Sequence, residues 1–489
     1  MEISVLRNKR LEDEEFEQLQ KEAMLMWPTS SEIDFQETVD FRKNLGDERN
    51  GPKKLMEAKA QGKILLEPRG GVATVDQQIE LSNYLLEVGK ADIIPTTFDS
   101  YTRTQRFKEA QKGIEESIKR GKSMLNGLPV VNLGVKECRK IVQAVNAPIN
   151  ARSGVTDGRL SAETVFAAGF AGFQGSGLSH NIAYTKNVPI DITIKAWQYI
   201  DRLIAKYGEE GIDIFREDFS PLTGTLVPPC ISITVSIIDL LMSAEQGVKY
   251  FVQGYGQGGS IIQDIAALKV MSDLAPYYLE KSGFNPQEIN VFTEFHQWMG
   301  AFPTDEASAF GVISYAAAVG AMGGANIIIT KSPQEAIGVP TKEANARGLL
   351  ATRQVVQMID KQRMPKNEKL ERECLLIERE SKSIIDKIIE MGEGDVVVGV
   401  IKSLKAGVLD VPWAPHVLNA NKALPVRDYE GDIRFLDTGN LPFPKEIKKF
   451  HKERVDIRAK KENREASYEM LIEDVYAIGR GMLMGKPLD

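Results

Sequence analysis

The feature that most restricts what this chain can fold into is a succession of short apolar runs: KILLEPR, ADIIPTT, PVVNLG, PINARSG, AGFQGSG, IDIFRED, KYFVQGYG, INVFTEF and NIIITKS. Most are separated by stretches of helical spacing. Strand alternating with helix predicts a parallel sheet, because parallel neighbours need a crossover long enough to hold a helix. Nearly every run ends, on its C-terminal side, in a side chain suited to binding or reaction: Arg69, Arg152, Gln174, Glu217, Tyr255, His296, Lys331. A closed (β/α)8 barrel, the TIM barrel, gathers such ends at one face, whereas a doubly wound open sheet feeds one crevice from two loops. The predicted fold is therefore α/β, an eight-stranded barrel. Nine runs are one too many, and the PVVNLG run is the suspect.

Around the barrel, the spacing predicts an N-terminal helical arm over 1–60, a catalytic barrel over 61–355 and a mixed C-terminal extension over 356–489 packed on the barrel. The arm's DEEFEQLQKEAMLMW places apolar residues at helical spacing before Pro28. The extension reads as structural support or a subunit interface. With 43% hydrophobic and 26% charged residues, the chain has an ordinary globular composition. Its net charge of −7 and lack of basic blocks point away from nucleic acid and anionic lipid, and toward a small-molecule ligand. Cys138, Cys230 and Cys374 are too few and too far apart for a disulfide framework or a zinc site, which suits a reducing cytoplasm. The charged N-terminus has no apolar core of a signal peptide. Residues 307–330 run 24 positions without a charge, yet Gly323-Gly324 and the β-branched run at Ile327 predict a buried helix feeding a buried strand, not a membrane span.

Arg69, Arg103 and Arg152 lie at or just after three strand ends, so a barrel would turn all three toward one mouth. A guanidinium holds a carboxylate through two parallel hydrogen bonds and keeps its charge, so three together suggest a dianionic substrate. Lys331 and Glu335 are spaced for one helical face, which by itself reads as an ion pair. The turns PLTGTLVPP and VQGYGQGGS suit close backbone approach by a flat or bulky ligand. The glycines at 254–259 have the wrong spacing for a dinucleotide fingerprint. His180, His296, His416 and His451 form no metal pair, and His296 reads as a core or supporting histidine. No nucleophile-and-base pattern is present either, which suggests reactivity borrowed from a cofactor.

The runs EPRGGVA, SYTRTQR, LTGTLVPP, VQGYGQGG, IQDIAAL, FHQWMGAFPTDE and EAIGVPTKEANARG resemble the E subunit of the methylaspartate (glutamate) mutase family. The resemblance extends from the WPT of the arm to the closing YAIGRGMLMGKP. It implies a barrel that holds substrate at its centre and caps the adenosyl face of adenosylcobalamin. It places substrate carboxylates on Arg69, Arg103 and Arg152, and the cofactor on Gly71, Asn126, Ala183, Phe302, Lys331, Glu335 and Val339, with Lys331 and Glu335 at the adenosyl ribose. A separate small cobalamin-binding subunit would bring the cobalt ligand on a D-x-H-x-x-G motif that this chain does not contain, in an assembly of two large and two small subunits. The implied reaction is a radical one: an adenosyl radical takes hydrogen from L-glutamate, whose skeleton fragments and rejoins as L-threo-3-methylaspartate.

Departures fall in the pocket. Where the family has a histidine, a glutamate that meets the substrate ammonium, and two tyrosines, this chain has Ser153, Gln174, His180 and Tyr184, of which only Tyr184 is kept. A family proline is Ala183 and a family isoleucine is Val339. Replacing a carboxylate by Gln174 removes a charged hydrogen bond of about 1.5–3 kcal/mol. Three readings follow: a glutamate mutase subunit, the same chemistry on a related dicarboxylate, or a non-catalytic binding barrel.

Overall fold

The computed structural model describes residues 6–362 and 367–482, so the last residues of the closing motif lie outside the described part. Eight strands form one parallel sheet: β1 (Leu65–Glu67), β2 (Ile94–Thr97), β3 (Ile149–Arg152), β4 (Gly172–Gln174), β5 (Phe215–Glu217), β6 (Tyr250–Gly256), β7 (Asn290–His296) and β8 (Ile327–Ile329). Their ladder runs β1-β8-β7-β6-β5-β4-β3-β2, which returns the first strand to the side of the second. That last seam is bridged rather than laddered. Asp92 N–H donates to Leu66 O at 2.9 Å, Leu66 N–H donates to the Asp92 carboxylate at 2.8 Å, and Thr97 N–H donates to Gly70 O at 2.8 Å. The fold is the expected TIM barrel.

The PVVNLG run is the misassigned strand. Leu128 makes one parallel bridge to Phe98, after which Val130–Ala144 is helical around a break at Gly134 (φ 76°). Val130, Val131, Val135, Cys138 and Ile141 are all buried, a helical spacing that a six-residue window is too short to reveal. The uncharged stretch divides as expected into helix Glu306–Gly323, a left-handed Gly324 and the buried β8. Among the described residues no helix is long and apolar enough to cross a membrane.

Inside the barrel, side chains stack in two kinds of layer, because every second residue of a strand faces the same way. Low in the barrel, Leu65, Phe215, Val252, Phe292 and Ile327 pack on Leu55 and Ala58 of helix Gly51–Ala60, which plugs that end. Two residues further along their strands come Glu67, Glu217 and Glu294, all with no solvent exposure. Apolar burial thus gives way to charge toward the strand C-terminal ends.

The remaining elements brace the outside. Helix Asp13–Met24 packs on helices Arg159–Ala168 and Ile190–Glu209, with Phe16 stacked on Tyr199 at 4.7 Å. Helix Glu368–Met391 lies across helices Pro229–Gln246 and Ile261–Lys281. The hairpin β9 (Leu424–Arg427) and β10 (Ile433–Asp437) is tied to the glycine turn after β6, through Arg427 Nη2 to Gly258 O at 2.6 Å and through Ser260 to Asp432.

Candidate functional site

At the C-terminal ends of the strands opens a cavity of about 650 Å³, lined among others by Arg69, Arg103, Arg152, Gln174, His180 and Tyr184. This size is ordinary for a small-ligand site. The predicted arginines do converge there, but they are not equivalent. Arg69 makes no hydrogen bond or ion pair to any described residue. Arg103, at the end of the short helix Ser100–Arg103, spends only its Nε, which donates to Phe98 O at 2.9 Å. Burial pulls both guanidinium pKa values down, helped for Arg69 by repulsion from Arg152 and for Arg103, which falls to about 10, by repulsion from Arg69. Two buried cations without an ion pair to any described residue leave room for an anion between protein and ligand.

Arg152 is already engaged. Its guanidinium lies 2.9 Å from Glu67, 2.9 Å from Glu217 and 3.6 Å from Glu294, all buried, and burial is outweighed by the three acids so that its pKa rises. Asn150 Nδ2 donates to Glu67 at 3.1 Å and to Glu217 at 2.6 Å. Burial, the dominant cause, lifts the pKa of all three carboxyls, so the group holds protons at neutral pH. Arg152 Nη2 also lies 3.2 Å from His296 Nε2, on a ring that burial and the neighbouring cations keep neutral. Glu294 Oε1 lies 2.7 Å from the same nitrogen. Glu217, Glu294 and His296 have the spacing of a metal site, but the cation held among them is Arg152.

The positions where the chain departs from the family pattern behave differently from one another. Ser153 does not reach the cavity; it is fully buried and its hydroxyl donates to Gln174 O at 2.6 Å. Gln174 ends β4, is 4% exposed, and its amide forms no hydrogen bond with any described residue. His180 lies in helix Ser179–Tyr184, 5% exposed and stacked on Phe219 at 4.7 Å with 10° between the rings. Tyr184 is exposed at the mouth and donates to Leu222 O at 3.2 Å.

Of the residues predicted for the cofactor, Lys331 and Glu335 meet at 3.0 Å. They do so within a turn rather than on a helix, since helix Lys342–Ile359 begins only later. Gly71 allows a close chain crossing, because a Cβ there would stand 2.3 Å from Thr97 O. Asn126 is exposed and accepts from Ser100 N–H at 3.0 Å. Ala183 and Phe302 are buried, Phe302 beside Trp298, while Val339 is 76% exposed. The turns PLTGTLVPP and VQGYGQGGS pack on one another, a Cβ on Gly256 falling 2.9 Å from Pro221, so here the close approach is made by protein. Tyr255 departs from its prediction as a mouth residue: it points outward, donating to Asp264 at 3.0 Å.

Comparison with known proteins fits this geometry. Residues 45–487 match the family model described as methylaspartate mutase E chain (MutE). The chain belongs to the methylaspartate mutase E chain family. A glutamate mutase epsilon subunit of Desulfitobacterium hafniense is 48% identical over 482 residues, covering 99% of each chain. That of Treponema denticola is 44% identical over 481 residues, 98% of this chain and 99% of its own. That of Halobacterium salinarum is 42% identical over 485 residues, 99% and 100%. Within this mutase-family barrel, sequence reasoning missed Glu67, Asn150, Glu294 and Phe219. The first three occupy interior positions two residues from an apolar or charged interior neighbour, a period-two signal present in EPR, PINAR and FTEFH. Phe219 carried no signal beyond following the strand end.

Proposed function

We propose that the chain is the catalytic subunit of an adenosylcobalamin-dependent isomerase that rearranges the carbon skeleton of a dicarboxylate, in the manner of L-glutamate and L-threo-3-methylaspartate. The observation that carries this reading is the pair of guanidiniums, Arg69 and Arg103, facing the cavity without an ion pair to any described carboxylate. Each suits one carboxylate of the substrate. Arg152, anchored by three acids, is a fixed positive floor beneath them.

Residues at the rim fit the cofactor. Lys331 and Glu335 form a mostly buried pair whose carboxylate oxygens keep acceptor capacity for ribose hydroxyls. Ile337 and Val339, 73% and 76% exposed on the same turn, offer an apolar surface to a flat hydrophobic group. Gly71, Asn126, Ala183 and Phe302 complete the proposed set. Bound there, adenosylcobalamin supplies carbon-radical chemistry that these side chains cannot generate. The chain itself fixes the two carboxylates and excludes water around the reacting carbons through its plugged barrel.

The relatives' naming as epsilon subunits supports a multi-subunit enzyme, and we assign as partner a small cobalamin-binding subunit that brings the cobalt ligand, two of each per assembly, in the cytoplasm. A non-catalytic barrel has no use for the Lys331–Glu335 pair at the rim. A second substrate reading, a related dicarboxylate, is favoured by the lack of any unpaired acid lining the cavity among the described residues. The test combines this chain with a cognate small subunit and adenosylcobalamin in the dark and follows L-glutamate and other five-carbon diacids by proton NMR. Turnover of any of them supports the mutase reading. Complex formation with no turnover of any diacid overturns it.

A further inference from the structure

What the cavity offers a ligand besides its two free guanidiniums is legible in its hydrogen bonds. Ser176 N–H donates to His180 Nδ1 at 3.1 Å, so Nδ1 carries the lone pair and Nε2 the proton. Nε2 has no partner among the described residues, on a ring 5% exposed that lines the cavity. His180 is therefore a neutral hydrogen-bond donor. Burial, with Arg103, Arg216 and Arg152 adding to it, pulls its pKa to about 3, so it stays neutral throughout the physiological range.

In the same cavity, the unpartnered amide of Gln174 is uncharged as well. The acids around the cavity are all spoken for. Asp157, the one acid lining it among the described residues, is held by Arg159 at 2.8 Å. Glu335 is paired with Lys331 at 3.0 Å. Glu67, Glu217 and Glu294 have no exposed surface and sit behind Arg152. An ammonium on the substrate would meet two free guanidiniums and no free anion.

We infer that the substrate of this site is a dicarboxylate whose middle substituent is uncharged and accepts a hydrogen bond from His180, a hydroxyl in place of the ammonium of an amino diacid. This rests on the dicarboxylate reading above and names the substituent it leaves open. Gln174 completes the site, its amide oxygen accepting from the same hydroxyl while its nitrogen remains free for a carboxylate.

The test is calorimetric titration of the full-length chain at neutral pH with three probes of equal length: glutarate, 2-hydroxyglutarate and L-glutamate. 2-Hydroxyglutarate is expected to bind more tightly than glutarate, and L-glutamate more weakly than either by roughly ten- to a hundredfold, the range of a charged hydrogen bond. Gln174→Glu is expected to raise affinity for L-glutamate by a similar factor. His180→Phe keeps the stack on Phe219 and is expected to bring 2-hydroxyglutarate level with glutarate. If wild type binds L-glutamate as well as 2-hydroxyglutarate, the inference fails while the dicarboxylate reading stands. A preference for 2-hydroxyglutarate that survives His180→Phe overturns the donor role. If none of the three binds, the dicarboxylate reading itself falls, and this inference with it.

Discussion

The lower and upper ends of the barrel interior are made by the same strands and differ by two residues. On β1, β5 and β7 the chain places Leu65, Phe215 and Phe292 low, then Glu67, Glu217 and Glu294 above them. The lower layer is closed by apolar contact with a helix. The upper layer removes three carboxyls from water and tolerates them only because Arg152 and Asn150 bind them and protonation lowers their charge. Stability and function therefore share strands but not heights, the lower end carrying packing and the upper end chemistry.

The largest expected effects separate the two ends by their pH dependence. Phe215→Ala removes a fully buried ring from the lower layer and is expected to cost about 3–5 kcal/mol of stability at any pH. Arg152→Leu strands three carboxyls without their cation, at a similar cost of about 3–5 kcal/mol near neutrality. Because those carboxyls have folded pKa values above their unfolded ones, they take up protons as pH falls, so the second cost shrinks toward pH 5 and grows toward pH 8. Urea unfolding across that range reads both, and parallel pH curves for the two variants would dissolve the distinction.

Asp239 sharpens the upper end from behind. It accepts from Ser176 Oγ at 2.7 Å, and Ser176 in turn accepts from Leu178 and Ser179 N–H at the start of the His180 helix. Burial, then Asp218, lifts its carboxyl to about 8 against the pull of Arg216. A raised folded pKa means its stabilisation is complete below the unfolded value of 3.8 and is lost as pH rises toward about 8. Asp239→Asn should therefore gain on wild type between pH 5 and pH 8, on the order of 1–3 kcal/mol. A difference that does not change with pH would mean the carboxyl ionises as freely folded as unfolded.

The contrast between the ends also explains what was legible in the sequence. Eight strands, their parallel order and the arginines at their ends follow from apolar runs with polar termini, and Arg69, Arg103 and Arg152 do reach one cavity. The ninth run failed because Val130 and Val131 are as buried on a helix as they would be on a strand. Pairing was not legible at all. Nothing in the residues around Arg152 separates a free arginine from one held by Glu67, Glu217 and Glu294, since those partners come from three other strands. Likewise the donor role of His180 depends on the backbone N–H of Ser176, which no side-chain pattern announces.

A smaller, purely functional effect is expected at the mouth. Arg103 binds the protein through Nε alone, so Arg103→Lys should leave stability within about 0.5 kcal/mol. The planar two-point grip on a carboxylate is lost, however, and kcat/KM of the reconstituted enzyme should fall roughly ten- to a hundredfold. A stability loss as large as that of Arg152→Leu would place Arg103 in the scaffold instead.

A substitution at Gly51 tests how tightly the lower end is sealed. Gly51 opens the plugging helix, and a Cβ there would stand 2.7 Å from the Phe215 ring and 2.9 Å from Ala171 Cβ, neither of which is the loose end of a flexible side chain. Gly51→Ala forces the helix or the ring to move, an overpacking cost of about 1–3 kcal/mol. At the first helical turn, alanine's better helix propensity offsets little of it, at most about 1 kcal/mol. Affinity for diacids should be unchanged, because the charged layer lies between this contact and the cavity. A fall in stability with unaltered diacid affinity would show that the two ends are energetically separate. Loss of affinity along with stability would show instead that the helix sets the height of Glu67, Glu217 and Arg152, and that the upper end is positioned from below.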